Sequence, residues 1–127
     1  MSKATKAVEP QFDPTDPESL VELVQSALED AKAVDITAID VRDKTSITDY
    51  MIVASGNSTR HVKTLSDAVV ERSKESGASV LGVEGEREAE WMLVDLADVL
   101  VHLMLPRTRA FYALEKLWSV EPATAES

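Results

Sequence analysis

Trp91-Met92-Leu93-Val94-Asp95-Leu96-Ala97-Asp98-Val99-Leu100-Val101-His102-Leu103-Met104-Leu105 is two apolar runs parted by a single short break, Ala97-Asp98. Residues 91–96 and 99–105 have the length and apolar content of strands, and so short a link favours antiparallel pairing of the two. On the first run the period of two sends Trp91, Leu93 and Asp95 one way and Met92, Val94 and Leu96 the other. Both faces are apolar. One therefore packs on the core, and the other needs a cover, supplied either by a helix of this chain or by a partner.

Working back towards the N-terminus, residues 79–83 give a third strand in this group, linked through Glu84-Gly85-Glu86-Arg87. Before it, Val62, Leu65, Val69 and Val70 recur at helical spacing, with Asp67, Glu71, Arg72 and Lys74 around the outside and Gly77 placed to close the helix. Residues 36–41 alternate, residues 50–54 are nearly all apolar, and the polar stretch between them is short enough for an antiparallel hairpin. Further back, Asp16 is placed to cap a helix, Pro17 suits its first turn, and Leu20, Leu23, Val24, Ala27 and Leu28 form its stripe. Towards the C-terminus, Phe111, Leu114, Leu117 and Trp118 follow Pro106 as the apolar face of a last helix. The order helix, two strands, helix, three strands, helix predicts an α/β fold: one domain at residues 17–119 with a mixed sheet of about five strands flanked by helices. Residues 1–16 read as a flexible N-terminal segment and 120–127 as a flexible tail.

The chain has 127 residues, no cysteine and a net charge of −10. One domain of this length buries a core without disulfides or metal. Without cysteine there is no disulfide frame, thiolate metal site or thiol nucleophile. Residues 1–10 lack the apolar segment of a signal peptide, and residues 99–105 are far too short to cross a bilayer, so a cytosolic protein without membrane contact is expected. Residues 1–34, 35–118 and 119–127 carry net charges of −4, −4 and −2. Acid in every segment is a poor footprint for binding phosphates directly, so no RNA dependence is expected. It suits a basic partner, or serves solubility alone.

Catalytic chemistry finds little to work with. His61 and His102 are the only histidines and lie on different elements. No Gly-x-Ser-x-Gly turn occurs, and Asp95 and Asp98 are three apart, so one strand cannot aim both the same way. No metal site and no cofactor is expected. The loop Ser55-Gly56-Asn57-Ser58-Thr59 lies between strand and helix, where backbone amides can hold an anion with help from Arg60 or His61. It lacks the glycine and lysine spacing of a phosphate loop, and the same residues serve as caps. Residues 83–98 are more suggestive: Glu84, Glu86, Glu88, Glu90, Asp95 and Asp98 surround Trp91 with only Arg87 in opposition. A tryptophan rimmed by acid has the composition of a hot spot for a basic protein surface, though a core tryptophan under a helix fits equally.

Asp40-Val41-Arg42, Ser46-Ile47-Thr48-Asp49-Tyr50, Ser58-Thr59-Arg60-His61-Val62, Gly82-Val83-Glu84-Gly85, Glu90-Trp91, Asp95-Leu96-Ala97-Asp98-Val99, Val101-His102 and Phe111-Tyr112-Ala113-Leu114-Glu115-Lys116-Leu117-Trp118 together resemble the ribosome silencing factor (RsfS, Iojap-like) family in order and spacing. The resemblance spans about residues 20–118. It implies a nucleotidyltransferase-like arrangement of sheet and helices without enzymatic activity. It implies docking on the large ribosomal subunit through a basic ribosomal protein, the fourteenth of its series. Docking there blocks joining of the small subunit and represses translation when nutrients run short, as in stationary phase. Carried over by matching position, the partner-binding residues are Trp91, Met92, Leu93, Asp95, Asp98, His102 and Tyr112. A homodimer is compatible with this reading. The competing readings are a nucleotide-binding enzyme using the Ser55 to Thr59 loop and an interaction module with a non-ribosomal partner.

Overall fold

The computed structural model describes Asp13 and residues 16–112, except the side chains of Phe111 and Tyr112. The last helix expected around Leu114, Leu117 and Trp118 lies outside the described residues beyond its first turns. In chain order the elements are α1 (Pro17–Asp30), β1 (Val34–Asp40), β2 (Tyr50–Ser55), α2 (Thr59–Glu75), β3 (Gly82–Glu84), β4 (Trp91–Asp95), β5 (Val99–Met104) and α3 (Pro106–Tyr112). The strands form one mixed sheet in the order β1-β2-β5-β4-β3. Among the described residues only the β2–β5 pair is parallel; β1–β2, β3–β4 and β4–β5 are antiparallel.

The two long helices start differently. Asp16 precedes Pro17 in extended conformation, but its carboxylate accepts from the Ser19 hydroxyl at 3.0 Å and not from a backbone amide. In α2 the Ser58 hydroxyl accepts from the His61 amide at 3.1 Å. At its far end Gly77 takes φ +89, and the Ala78 amide donates back to the Ser73 carbonyl. This left-handed closure needs a residue without a Cβ penalty.

The core lies between α1, α2 and one face of the sheet. Leu20, Val24 and Leu28 from α1 and Val62, Leu65 and Val69 from α2 meet Ile52, Ala54, Met92, Val94, Val101 and Leu103. Both helices show the spacing of their apolar stripes because only one side of each faces the sheet. The β3 strand begins later than the expected residue 79. Gly82 already pairs with Asp95, the last residue of β4, and before it the Leu81 amide makes the final bond to that strand, donating to the Asp95 carbonyl at 2.8 Å. Val34 and Thr37 pair with Ser55 and Val53, one residue too many on β1, and Asp35 absorbs the excess at φ +53. This is a β-bulge at the sheet edge.

A smaller cluster of Val41, Met51, Val53 and Met104, with Ile39 and Trp91 packed against it, occupies the opposite face of the sheet. The edge beside it is tied to α1 by a chain of polar contacts. Arg42 pairs with Asp40, lies 5.2 Å from the Tyr50 ring centroid, and the Tyr50 hydroxyl donates to Glu18 at 3.3 Å. The Arg42 hydrogen bonds hold the Asp40 carboxyl down at about 2.

Candidate functional site

The strand β4 delivers its side chains alternately, and the register with β5 fixes what each one meets. Met92 and Val94 sit opposite Leu103 and Val101 on the helix-covered face. Trp91, Leu93 and Asp95 sit opposite Met104, His102 and Leu100 on the far face, where each of the three is partly exposed. Met92, expected among the partner-binding residues, lies instead on the helix-covered face. It is 1 % exposed within the core under the helices, because the pleat turns it away from its neighbours Trp91 and Leu93. Tyr112 ends α3, and its side chain lies outside the described residues.

Trp91 and His102 form a defined pair. The indole Nε1–H donates to His102 Nδ1 at 3.0 Å, with ring centroids 6.0 Å apart and planes inclined at 53°. Indole nitrogen only donates, so Nδ1 must present its lone pair, and the neutral imidazole carries its proton on Nε2. Burial pushes the histidine down to about 4, which keeps this neutral form in place at neutral pH.

The turn before β4 sets where Trp91 begins. Gly85 has φ +90, and a Cβ built there falls on the Trp91 carbonyl oxygen. The Ala89 amide donates to the Gly85 carbonyl at 2.9 Å, and the Leu105 amide to the Glu90 carbonyl at 3.1 Å. Beside this turn a cleft of about 660 Å³ is lined by Gly85, Arg87, Glu88, Glu90, Trp91 and Arg107, among others, so the indole forms part of its wall.

The two aspartates have structural duties. Asp95 Oδ1 accepts from the Ala97 amide at 2.9 Å, shaping a hairpin in which Ala97 takes φ +71. The Asp98 carbonyl accepts from the amides of both Asp49 and Tyr50 at 3.0 Å, which fastens the hairpin to the start of β2. The Asp98 side chain itself is exposed.

The loop at Ser55 to Thr59 spends its groups internally. The Gly56 amide donates to the Met104 carbonyl, the Asn57 amide to His61 Nδ1 at 2.9 Å, and the Ser58 hydroxyl caps α2. With Nδ1 accepting, His61 Nε2 donates to the Ala31 carbonyl at 2.9 Å. A Cβ on Gly56 would meet the Val62 amide nitrogen at 2.9 Å, so this glycine permits close packing of loop on helix. Such a loop is a joint between α1, β2 and α2, with neither its histidine nor its first amides turned to a ligand.

Two contributors escaped the sequence reading. Gly85 was legible only as a turn residue. Arg109, buried in α3, donates to the hydroxyls of Ser55 at 3.0 Å and Thr37 at 3.1 Å, which holds α3 against the far face. Two arginines follow Pro106, Arg107 and Arg109, and nothing in the sequence marks which of them is buried. Among the described residues no cluster of three or more His, Cys, Asp or Glu could hold a metal ion, and no helix is long and apolar enough to cross a membrane.

A single α/β sheet domain carrying a Trp–His pair on the face away from its two long helices is the class these features define. The family model described as "Ribosomal silencing factor during starvation" matches residues 14–127, and the chain belongs to that family. A ribosomal silencing factor from Chromobacterium violaceum is 45 % identical over 101 residues, covering 80 % of this chain and 83 % of that protein. A crystal structure of protein CV0518 from the same organism superposes with a TM-score of 0.81 at 42 % identity, covering 84 % of this chain and 89 % of that one. A more distant mouse relative, "Mitochondrial assembly of ribosomal large subunit protein 1", is 35 % identical over 103 residues, covering 79 % of this chain and 45 % of its own length.

Proposed function

We propose that this protein silences translation by docking on the large ribosomal subunit through a basic ribosomal protein, the fourteenth of the large-subunit series, and so obstructing the small subunit. The observation that carries the reading is the far face of β4 and β5, where Trp91 is partly exposed beside Leu93 and His102. A tryptophan of this kind is the usual anchor of a protein interface, because burying it removes roughly 150–250 Å² from water. The net charge of −10 favours encounter with a basic protein. The mouse relative is named for assembly of the ribosomal large subunit, which supports that choice of subunit. Obstruction requires shape and affinity but no chemistry. The partner contacts assigned to this surface are Trp91, Leu93, Asp98 and His102, with Asp95 holding the turn behind them.

The test is sedimentation of purified protein with isolated subunits through a sucrose gradient. Wild type is expected to travel with large subunits and to lower the yield of joined ribosomes when small subunits are added. Trp91→Ala is expected to remain at the top of the gradient. Cosedimentation of that variant at wild-type level defeats the assignment of this surface.

A further inference from the structure

His102 is held by one partner and faces outward with its other nitrogen. Trp91 occupies Nδ1, and among the described residues nothing accepts from Nε2. The ring stands on the far face, flanked across the strands by Leu93 on β4 and Val53 on β2. A histidine alone on a surface can offer either nitrogen as donor or acceptor. Here the indole removes that choice, since it can only donate.

We propose that His102 is a specificity-determining hydrogen-bond donor of the docking face: Trp91 fixes the imidazole with its proton on Nε2, and that N–H is given to a backbone carbonyl oxygen of the basic protein partner. This rests on the docking reading above and adds what the partner must present. A lysine or arginine side chain has no lone pair to accept the proton. A basic protein offers few carboxylates, whereas its backbone offers a carbonyl at every residue. The apolar flanks Leu93 and Val53 leave the donor little water to fall back on once the face is covered, so a partner lacking an acceptor there is rejected. Trp91 then has two duties: its ring supplies contact area, and its N–H sets the tautomer of its neighbour.

Two measurements on the full chain test this. Nitrogen-15 NMR of the free protein at neutral pH is expected to show His102 protonated at Nε2 and bare at Nδ1; the opposite tautomer, or a mixture, overturns the proposal. Affinity for isolated large subunits is then compared across variants that melt cooperatively. His102→Gln, whose amide can accept from the indole and donate outward, is expected to bind within about threefold of wild type. His102→Phe, which keeps a ring but neither function, is expected to bind about tenfold or more weakly. If His102→Phe does not fold, the isolated fourteenth large-subunit protein is titrated into labelled wild type. Slowed exchange of the Nε2 proton is then expected, and unchanged exchange overturns the proposal. Loss of binding in Trp91→Ala with wild-type binding in His102→Phe overturns this inference and leaves the docking reading standing. Wild-type binding in Trp91→Ala removes both.

Discussion

The indole N–H of Trp91 donates to Nδ1 of His102 from the neighbouring strand, 3.0 Å away, and this hydrogen bond exists only while the imidazole is neutral. Stability should therefore depend on pH through His102. Its value in the folded chain is about 4 against the ordinary 6.5. The unfolded chain takes up the proton from 6.5 downward and the folded chain only near 4, so acid favours unfolding across that window. The contribution is complete above pH 6.5 and is lost as pH falls towards 4. At about 1.4 kcal/mol per pH unit it amounts to about 3 kcal/mol. Urea unfolding of wild type and His102→Gln at pH 7 and pH 4.5 separates this from the carboxylates common to both. The stability difference between the two proteins should shift by about 2–3 kcal/mol; an unchanged difference rules out His102 as the titrating group.

Gly85 and Gly82 lie three residues apart and should respond in opposite ways to alanine. Gly85 combines φ +90 with a Cβ position on the Trp91 carbonyl, so the main chain itself must move. A loss of about 2 kcal/mol or more is expected, with a changed tryptophan fluorescence spectrum as Trp91 shifts. A Cβ at Gly82 meets nothing within 4 Å, and Gly82→Ala should lie within about 0.5 kcal/mol of wild type. Equal effects in chemical denaturation contradict the geometry.

Ser73 is fully buried in α2, and its hydroxyl has no hydrogen-bond partner. Replacing it with alanine deletes an unmatched polar atom and improves helix propensity. The expected gain is about 1 kcal/mol, or about 4 °C in melting temperature for a chain of this size. A lower melting temperature in Ser73→Ala means that the hydroxyl is satisfied in solution.

Added nucleotide should leave the melting temperature unchanged, because the Gly56 and Asn57 amides and both nitrogens of His61 are already bonded within the protein. A ligand that binds only the folded state raises that temperature with dose. A dose-dependent rise with a nucleoside triphosphate would restore the enzyme reading of this loop.

The sequence carried its local patterns well and its long-range partners poorly. The alternation in β4 already divided Trp91, Leu93 and Asp95 from Met92, Val94 and Leu96, and the structure keeps that division. Met92 was expected at the surface because the matching motif was carried over as a contiguous run, against the pleat. The hairpins followed from short links. The parallel pairing of β2 with β5 could not, since those strands are joined through a helix and two other strands, and no local signal marks which partner closes the seam. The tautomer of His102, the burial of Arg109 and the demand for glycine at 85 depend on residues brought together only by folding.

The placement of β5 between β2 and β4 has a bearing on how the chain is made. Synthesis runs from the N-terminus, so the middle of the sheet is its last strand to leave the ribosome. Until Val99–Met104 emerges, β2 keeps a bare, apolar hydrogen-bonding edge, and the Asp49 and Tyr50 amides await the Asp98 carbonyl. A nascent chain stalled before that point therefore carries an adhesive half-sheet that invites mispairing. Insertion of the final strand is the zip that makes the molecule whole.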